Sequence, residues 1–108
     1  MRRGDVVVVA MRGDYGKPRP ALIVQSDLFD EHPSVTLLPI TSDIRLELPL
    51  FRLALEPSET SGIQRESQVM VDKLVSVPRD KIGGVVGHLG DADMLRVTRA
   101  LMVWRGVA

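Results

Sequence analysis

Short apolar runs separated by loop residues fill most of this chain, and each run has the length of a β-strand. Val6–Met11 and Val35–Ile40 predict buried strands because they are largely apolar and contain β-branched residues. Ala21–Gln25 predicts a strand between them, followed by a short turn that Ser26 or Asp27 can cap. The first part of the chain therefore predicts three closely spaced strands.

The second half of the chain carries shorter and less regular apolar segments. Leu46–Leu55 alternates imperfectly around Pro49, which predicts an edge or irregular strand because proline cannot donate a ladder hydrogen bond. Ser67–Lys73 predicts a further strand, and Pro78–Lys81 predicts a single helical turn with proline at its first position. Ile82–Gly87 predicts a strand bent by its glycines.

The C-terminal segment has a different periodicity. Asp91 or Asp93 can cap a helix there. Apolar residues recur beyond them at three-to-four spacing, at Met94, Leu95, Val97, Leu101, Met102 and Trp104. Short strands followed by one helix predict a mainly β fold with a C-terminal helix, built on a small, strongly bent antiparallel sheet or half-barrel. Because the chain has 108 residues and no linker, we expect one domain over residues 1–108.

Composition narrows the classes of function. The net charge is zero, but residues 1–20 hold five basic and two acidic side chains, which makes this segment locally positive. A domain that coats duplex DNA is normally basic overall, so any nucleic acid would have to bind locally. The lack of cysteine excludes disulfides and thiolate metal sites and fits a cytoplasmic protein. No apolar run is long enough to cross a bilayer, so no membrane partner is expected.

Two polar motifs stand at the ends of predicted strands. In the first, Arg19 lies between Pro18 and Pro20, which restrict its backbone and favour an extended conformation. In the second, Thr41 and Ser42 follow the third predicted strand. A preoriented guanidinium with hydroxyls nearby suits a phosphate group without a metal ion. The alternative is a loop arginine that points into water.

The side chains that could carry chemistry point to phosphoryl transfer on RNA. The two histidines, His32 and His88, have no spacing typical of a metal site, and no cofactor is expected. The candidates are arginines, hydroxyls and an amide: Arg19, Thr41, Ser42, Arg65, Ser67 and Gln68. Arginine is a poor general base, but it stabilises charge that develops on a phosphoryl group. RNA cleavage suits this set because the attacking 2′-hydroxyl belongs to the substrate and positioning accounts for much of the rate.

Several short motifs follow one another in a recognisable order. They are Gly-Lys-Pro-Arg-Pro-Ala at residues 16–21, Pro-Ile-Thr-Ser at 39–42 and Ser-Gln-Val-Met-Val-Asp-Lys at 67–73. Their order and spacing resemble the PemK/MazF family of toxins from bacterial toxin–antitoxin pairs, over most of the chain. The resemblance implies an SH3-like barrel and a metal-independent endoribonuclease. Such an enzyme would cleave single-stranded RNA and leave 2′,3′-cyclic phosphate and 5′-hydroxyl ends.

The resemblance also implies roles for individual residues. Arg19 matches the catalytic arginine of the family, and Thr41 matches its catalytic hydroxyl. The positions implied to bind RNA are Lys17, Ser42, Arg65, Ser67 and Gln68. Ser67 replaces an acidic residue that some relatives have, so an acid–base role is not expected there. Some relatives carry a histidine or glutamate in the first loop, where this chain offers Asp14 as the candidate base.

Two protein partners are implied by the same resemblance. One is an identical subunit, so the RNA groove would lie across the interface of a homodimer. The other is an antitoxin whose acidic, disordered tail would fold onto the groove and cover Arg19. The positive charge of residues 1–20 gives a physical reason, because it attracts a carboxylate-rich peptide as it attracts RNA.

An alternative hypothesis comes from the CcdB toxins of the same fold superfamily, which bind DNA gyrase and cleave no RNA. Val24–Leu28 resembles a CcdB segment, and CcdB toxins end in a tryptophan and a glycine that contact gyrase. In this chain Arg105 separates Trp104 from Gly106, which departs from that pattern. The structural interpretation of Trp104 is a core residue that closes the last helix.

Overall fold

The computed structural model describes residues 1–10 and 17–107, which form seven β-strands, three 3-10 helices and one α-helix. The strands are β1 (Asp5–Ala10), β2 (Pro18–Ile23), β3 (Ser34–Thr41), β4 (Arg52–Leu55), β5 (Ser67–Met70), β6 (Val75–Pro78) and β7 (Ile82–His88). The helix α1 spans Asp91–Trp104, and the 3-10 helices span Asp27–Phe29, Val71–Lys73 and Arg79–Lys81. The predicted mainly β fold with a C-terminal helix is confirmed.

The strands form one antiparallel sheet that divides at β3. The order is β4-β5-β3-β2-β1-β7, and β6 also pairs with β3. Residues 37–39 of β3 pair with β2, and residues 34–37 pair with β6. Residues 40 and 41 pair with β5 and, among the described strands, no longer with β2. Because β3 leaves β2 before it ends, the two strands separate and open a cleft between the two parts of the sheet.

Apolar clusters cover both faces of the centre of the sheet. Along each strand, neighbouring side chains belong to opposite faces. Val6 and Leu22 belong to one apolar cluster, which α1 covers with Val97. Val7 and Ala21 belong to a second cluster on the opposite face. The paired strands β1 and β2 are therefore held from both sides and give the cleft a firm wall.

The second strand begins earlier than the sequence indicated, because Pro18 already lies in β2. Along β2 the backbone groups alternate in direction. The carbonyl of Ile23 accepts from the amide of Gly4 on the β1 side, and the amide of Val24 donates to the carbonyl of Thr36 in β3. The two prolines of β2 therefore face the side that β3 has left, so they remove no ladder hydrogen bond.

Three segments differ from the sequence prediction. The edge strand β4 covers only Arg52–Leu55, since turns occupy much of residues 46–51. The strand β5 ends at Met70, because Val71–Lys73 turns into a 3-10 helix. The strand β6 was not predicted; it has only four residues, and it is identified by its pairing with distant residues of β3.

Two short turns form where the sequence predicts them. Ser26 caps the 3-10 helix Asp27–Phe29, and its hydroxyl oxygen accepts from the amide of Leu28 at 3.2 Å. The turn predicted at Pro78–Lys81 is the 3-10 helix Arg79–Lys81, with the proline just before its first residue. Both turns were therefore predicted correctly from the local sequence.

The helix begins differently from the prediction. Gly90 occupies its N-cap and supplies no side-chain hydrogen bond, whereas Asp91 and Asp93 lie in the first turn. There their negative charges are favoured by the helix dipole. Trp104 is not a core residue: 51% of it is exposed, and its ring packs on Phe51 with centroids 5.8 Å apart.

Candidate functional site

A cavity of about 600 Å³ lies where β2 and β3 separate. Its walls come from the start of β2, the end of β3 with the turn that follows, the loop before β5, and β5 itself. The predicted site residues that line it are Arg19, Thr41, Ser42, Arg65 and Ser67. Residues from three distant parts of the sequence therefore line one cleft.

Strand register explains why Arg19 and Thr41 meet. Ala21 of β2 pairs with Pro39 of β3. Two residues further along each strand lie Arg19 and Thr41, and the period of two in a strand gives them the same face as that pair. Arg19 itself pairs with Val9 of β1, so its backbone is fixed while its side chain is exposed at the cleft. Arg19 and Thr41 therefore both line the same cleft.

The Thr41 hydroxyl has a defined hydrogen-bonding role. Its oxygen accepts from the backbone amide of Asp43 at 3.0 Å, and the residue is only partly exposed. Among the residues that the structure describes, no acceptor takes the hydroxyl proton. A hydroxyl whose oxygen already accepts one bond can donate its proton to an incoming phosphate oxygen.

Among the residues that the structure describes, two arginines and one carboxylate line the cleft. Arg19 and Arg65 bring positive charge to its wall, whereas Asp43 brings negative charge. Arg45 contacts one carboxylate oxygen of Asp43 with both Nε, at 3.1 Å, and Nη2, at 3.0 Å. This ion pair partly offsets the negative charge of Asp43 in the cleft.

Ser67 supports the cleft through the backbone. Only 4% of the residue is exposed, and its hydroxyl donates to the carbonyl of Arg65 at 2.8 Å. That bond holds the turn from which the Arg65 side chain projects. Because its proton is already used, Ser67 is better suited to shaping the wall than to exchanging protons.

The structure does not bring every predicted residue to the cavity wall. Gln68 is 95% buried and points its amide at Arg45, and it is not among the residues that line the cavity. Lys17 is exposed just before β2 and does not line the cavity either. The candidate base Asp14 lies outside the described residues. The site in the cleft is thus smaller than the set expected from sequence.

Part of the wall was missed by sequence reasoning. The loop of residues 58–63 closes on itself through the amide of Ser58 and the carbonyl of Ile63, 3.0 Å apart, and Gly62 has a positive φ of 76°. It packs on β7, where the amide of His88 donates to the carbonyl of Thr60 at 2.9 Å. In the sequence, the only indication of this part of the wall was a glycine within a polar loop.

The described part of the chain shows neither a metal-binding cluster nor a membrane-spanning helix. In residues 1–10 and 17–107, no cluster of three or more acidic or histidine side chains could hold a metal ion. In the same part of the chain, no helix has the length and apolar character needed to span a membrane.

Comparisons with known proteins identify the family and agree with the fold. Residues 2–104 match the family model described as "PemK-like, MazF-like toxin of type II toxin-antitoxin system". A protein of Mycolicibacterium smegmatis named "Probable endoribonuclease MazF" is 46% identical over 100% of this chain and 99% of its own length. The "Endoribonuclease EndoA" of Bacillus subtilis is 24% identical over 95% of this chain and 92% of its own length.

Solved structures show the same fold. A mycobacterial endoribonuclease in complex with its cognate antitoxin superposes with a TM-score of 0.83, covering 100% of this chain and 97% of that one, at 23% identity. A Mycobacterium tuberculosis MazF toxin gives a TM-score of 0.82 over 96% of this chain and 98% of that one, at 20% identity. With the family model and the M. smegmatis relative, this establishes that the chain belongs to the PemK-like, MazF-like toxins of type II toxin–antitoxin systems.

Proposed function

We propose that this chain is an endoribonuclease toxin that cleaves single-stranded RNA without a metal ion and so inhibits translation and growth. The observation that carries the proposal is the meeting of Arg19 and Thr41 at the diverging ends of β2 and β3, in a cavity that also holds Arg65. The names of the M. smegmatis and B. subtilis relatives support the same activity.

The reaction uses a nucleophile that belongs to the substrate. The 2′-hydroxyl of the RNA attacks the adjacent phosphorus, the bond to the 5′-oxygen breaks, and the products carry a 2′,3′-cyclic phosphate and a 5′-hydroxyl. Arg19 stabilises the negative charge that develops on the phosphorane oxygens. Thr41 donates its proton as a hydrogen bond to the same phosphate. The proton of the attacking hydroxyl passes to a base, for which Asp14 is the candidate, and the leaving oxygen takes up a proton.

The remaining cations and hydroxyls hold the RNA strand in place. Ser42 and Arg65 line the cavity with the catalytic pair and contact the phosphates that flank the cut. Lys17 is exposed just before β2 and extends the positive surface along the strand. Phosphate contacts of this kind position the strand without reading its sequence.

Two partners belong to this proposal. The first is a second copy of the chain, which would place the RNA groove across a two-fold interface. The second is an antitoxin with an acidic tail that competes with RNA for Arg19 and Arg65. Support for the second comes from the mycobacterial structural neighbour, which is described in complex with its cognate antitoxin. The activity would be exerted in the cytoplasm, where its RNA substrate is found.

The CcdB-like alternative has less support. Trp104 packs on Phe51 within the chain, and the relatives reported above are named endoribonucleases. Binding to gyrase through the C-terminal helix would leave the residues of the cleft without a role. We therefore retain gyrase binding only as the outcome expected if RNA stays intact.

Incubation with a long single-stranded RNA in EDTA, followed by end-group analysis, tests the proposal. We expect discrete cuts with 5′-hydroxyl ends, and a rate that falls roughly 100- to 1000-fold in Arg19→Ala and Thr41→Val. Lys81→Ala removes an exposed cation from the turn before β7 and serves as the control, with an unchanged rate. Intact RNA, or full activity in Arg19→Ala, would contradict the proposal.

A further inference from the structure

A buried amide lies directly behind the Thr41 turn. Gln68 of β5 pairs with Thr41 of β3, so both side chains are on the same face of the sheet. Only 5% of Gln68 is exposed. Burying a polar side chain is costly unless its hydrogen bonds are made, which makes its partners informative.

The amide of Gln68 binds the turn that follows β3. Its Oε1 accepts from the backbone amide of Arg45 at 3.0 Å, and its Nε2 donates to the carbonyl of Arg45 at 3.4 Å. Oε1 also accepts from Nη1 of Arg52 in β4 at 3.3 Å. The side chain therefore pairs with both backbone groups of one turn residue, as a neighbouring strand would.

A further hydrogen bond holds the turn after β3, and the backbone of that turn also binds the Thr41 hydroxyl. Nη1 of Arg52 donates to the carbonyl of Asp43 at 3.1 Å. The amide of Asp43 in turn donates to the Thr41 hydroxyl oxygen at 3.0 Å. A continuous set of hydrogen bonds thus runs from Gln68 and Arg52, through the backbone of residues 43–45, to the oxygen that faces the cleft.

This arrangement has the properties of a support for an active-site group. The residues that make it come from β4 and β5, which are sheet strands, whereas the group that it orients belongs to a turn. Arg52 makes its bonds through Nη1, while its buried Nε has no hydrogen-bond partner among the described residues. The bonds that are made hold the Asp43 amide against the Thr41 oxygen, which leaves the hydroxyl proton free to point away from that amide. Neither Gln68 nor Arg52 lines the cavity.

We propose that Gln68, together with Arg52, is a positioning residue that fixes the turn after β3 and thereby directs the Thr41 hydroxyl at the scissile phosphate. The inference rests on the proposed function and deepens it. It differs from the direct contact between Gln68 and RNA that the sequence led us to expect. Its consequence is that Gln68 affects the rate of cleavage rather than the binding of RNA.

Kinetics of Gln68→Met test the proposal, because methionine has nearly the same shape and makes none of the three hydrogen bonds. We expect kcat to fall roughly 10- to 100-fold, as for other groups that orient a catalytic residue. The affinity for an RNA with a 2′-O-methyl group at the cut, which cannot react, should stay within about threefold. Loss of affinity by about tenfold or more with kcat unchanged would show direct RNA binding and overturn the proposal.

Two further measurements separate positioning from a merely structural role. Gln68→Glu keeps the acceptor for Arg45 and Arg52 but loses the donor to the Arg45 carbonyl, so we expect it to recover part of kcat relative to Gln68→Met. In a Thr41→Val background the effect of Gln68→Met on kcat should disappear, because Gln68 acts through the hydroxyl. An undiminished effect in that background, or no recovery in Gln68→Glu, would contradict the proposal.

Amide exchange gives a readout that does not depend on catalysis. The amide of Asp43 should exchange at least about tenfold faster in Gln68→Met, whereas amides of β1 should keep their protection. If wild-type protein leaves RNA intact, the proposed function fails but this measurement still tests the support of the turn. If Gln68→Met does not fold, Arg52→Met, which removes the donor to the Asp43 carbonyl, is measured in the same way. Unchanged exchange at Asp43 in a folded Gln68→Met variant, or in Arg52→Met if that variant does not fold, would overturn the inference.

Discussion

A single added methyl group should separate β7 from the loop that walls the cleft. A Cβ on Gly87 would lie 2.3 Å from the carbonyl carbon of Ser61 and 2.4 Å from the carbonyl oxygens of Ser61 and Thr60. These are backbone atoms, so no side chain can rotate away. Relief requires the loop to move by about 1 Å to reach ordinary contact distance.

The free-energy cost of Gly87→Ala can be worked from those contacts. Overpacking of this kind costs about 1–3 kcal/mol, and displacement of Thr60 also strains the bond that its carbonyl accepts from the amide of His88, about 1 kcal/mol. We expect the free energy of unfolding to fall by about 3 kcal/mol. For a domain of this size, Tm should drop by roughly 10–20 °C.

Thermal and urea unfolding followed by circular dichroism measure this effect, and Gly84→Ala is the matched control. Gly84 lies in the same strand, but a Cβ there would meet nothing within 4 Å. We expect that control to melt within a few degrees of wild type, or slightly above it, because alanine restricts the unfolded chain. A Gly87→Ala variant as stable as Gly84→Ala would refute the reasoning.

Three further changes address the core, the C-terminal helix and the charge of the cleft. Leu38→Ala removes a fully buried side chain and should lower the free energy of unfolding by about 3–4 kcal/mol, measured in urea; a loss below about 1 kcal/mol would contradict that placement. Trp104→Ala removes a half-exposed ring from Phe51 and should lower stability by about 1–2 kcal/mol without changing RNA cleavage; loss of cleavage would assign the tryptophan to the site. Asp43→Asn removes the carboxylate from the cleft and should raise RNA affinity about threefold at low salt, with the gain shrinking as salt screens it; weaker binding in a filter or fluorescence assay would show that the carboxylate helps.

The parts of the fold read correctly from sequence are those with strong local patterns. The apolar run in β1 and the three-to-four periodicity of α1 identify those elements directly. The strand β6 lacks such a pattern, because its four residues become a strand only by pairing with residues about 40 positions earlier in the chain. The N-cap residue of α1 was predicted wrongly. Gly90 occupies that position, and it has no capping side chain by which the sequence could have identified it.

In the candidate site, too, residues with a local sequence motif could be predicted and contacts between distant residues could not. Arg19 could be identified because two prolines constrain its neighbours, and Thr41 because it follows a clear strand. The hydrogen bonds of Gln68 could not be predicted, since its partners Arg45 and Arg52 lie 23 and 16 residues away and form no local motif. Hydrogen bonds across such distances follow from strand order, which a single sequence does not display.

The two prolines of β2 also determine what kind of chain can enter the cleft. Where β3 leaves β2, the sheet has an exposed edge inside the protein's own binding site. An edge strand usually invites another strand to pair with it, but Pro18 and Pro20 have no amide proton to offer there. A polypeptide strand added at this point would receive no amide hydrogen bond from either proline, although their carbonyls could still accept one. The two prolines therefore make self-association through strand addition less favourable at the cleft.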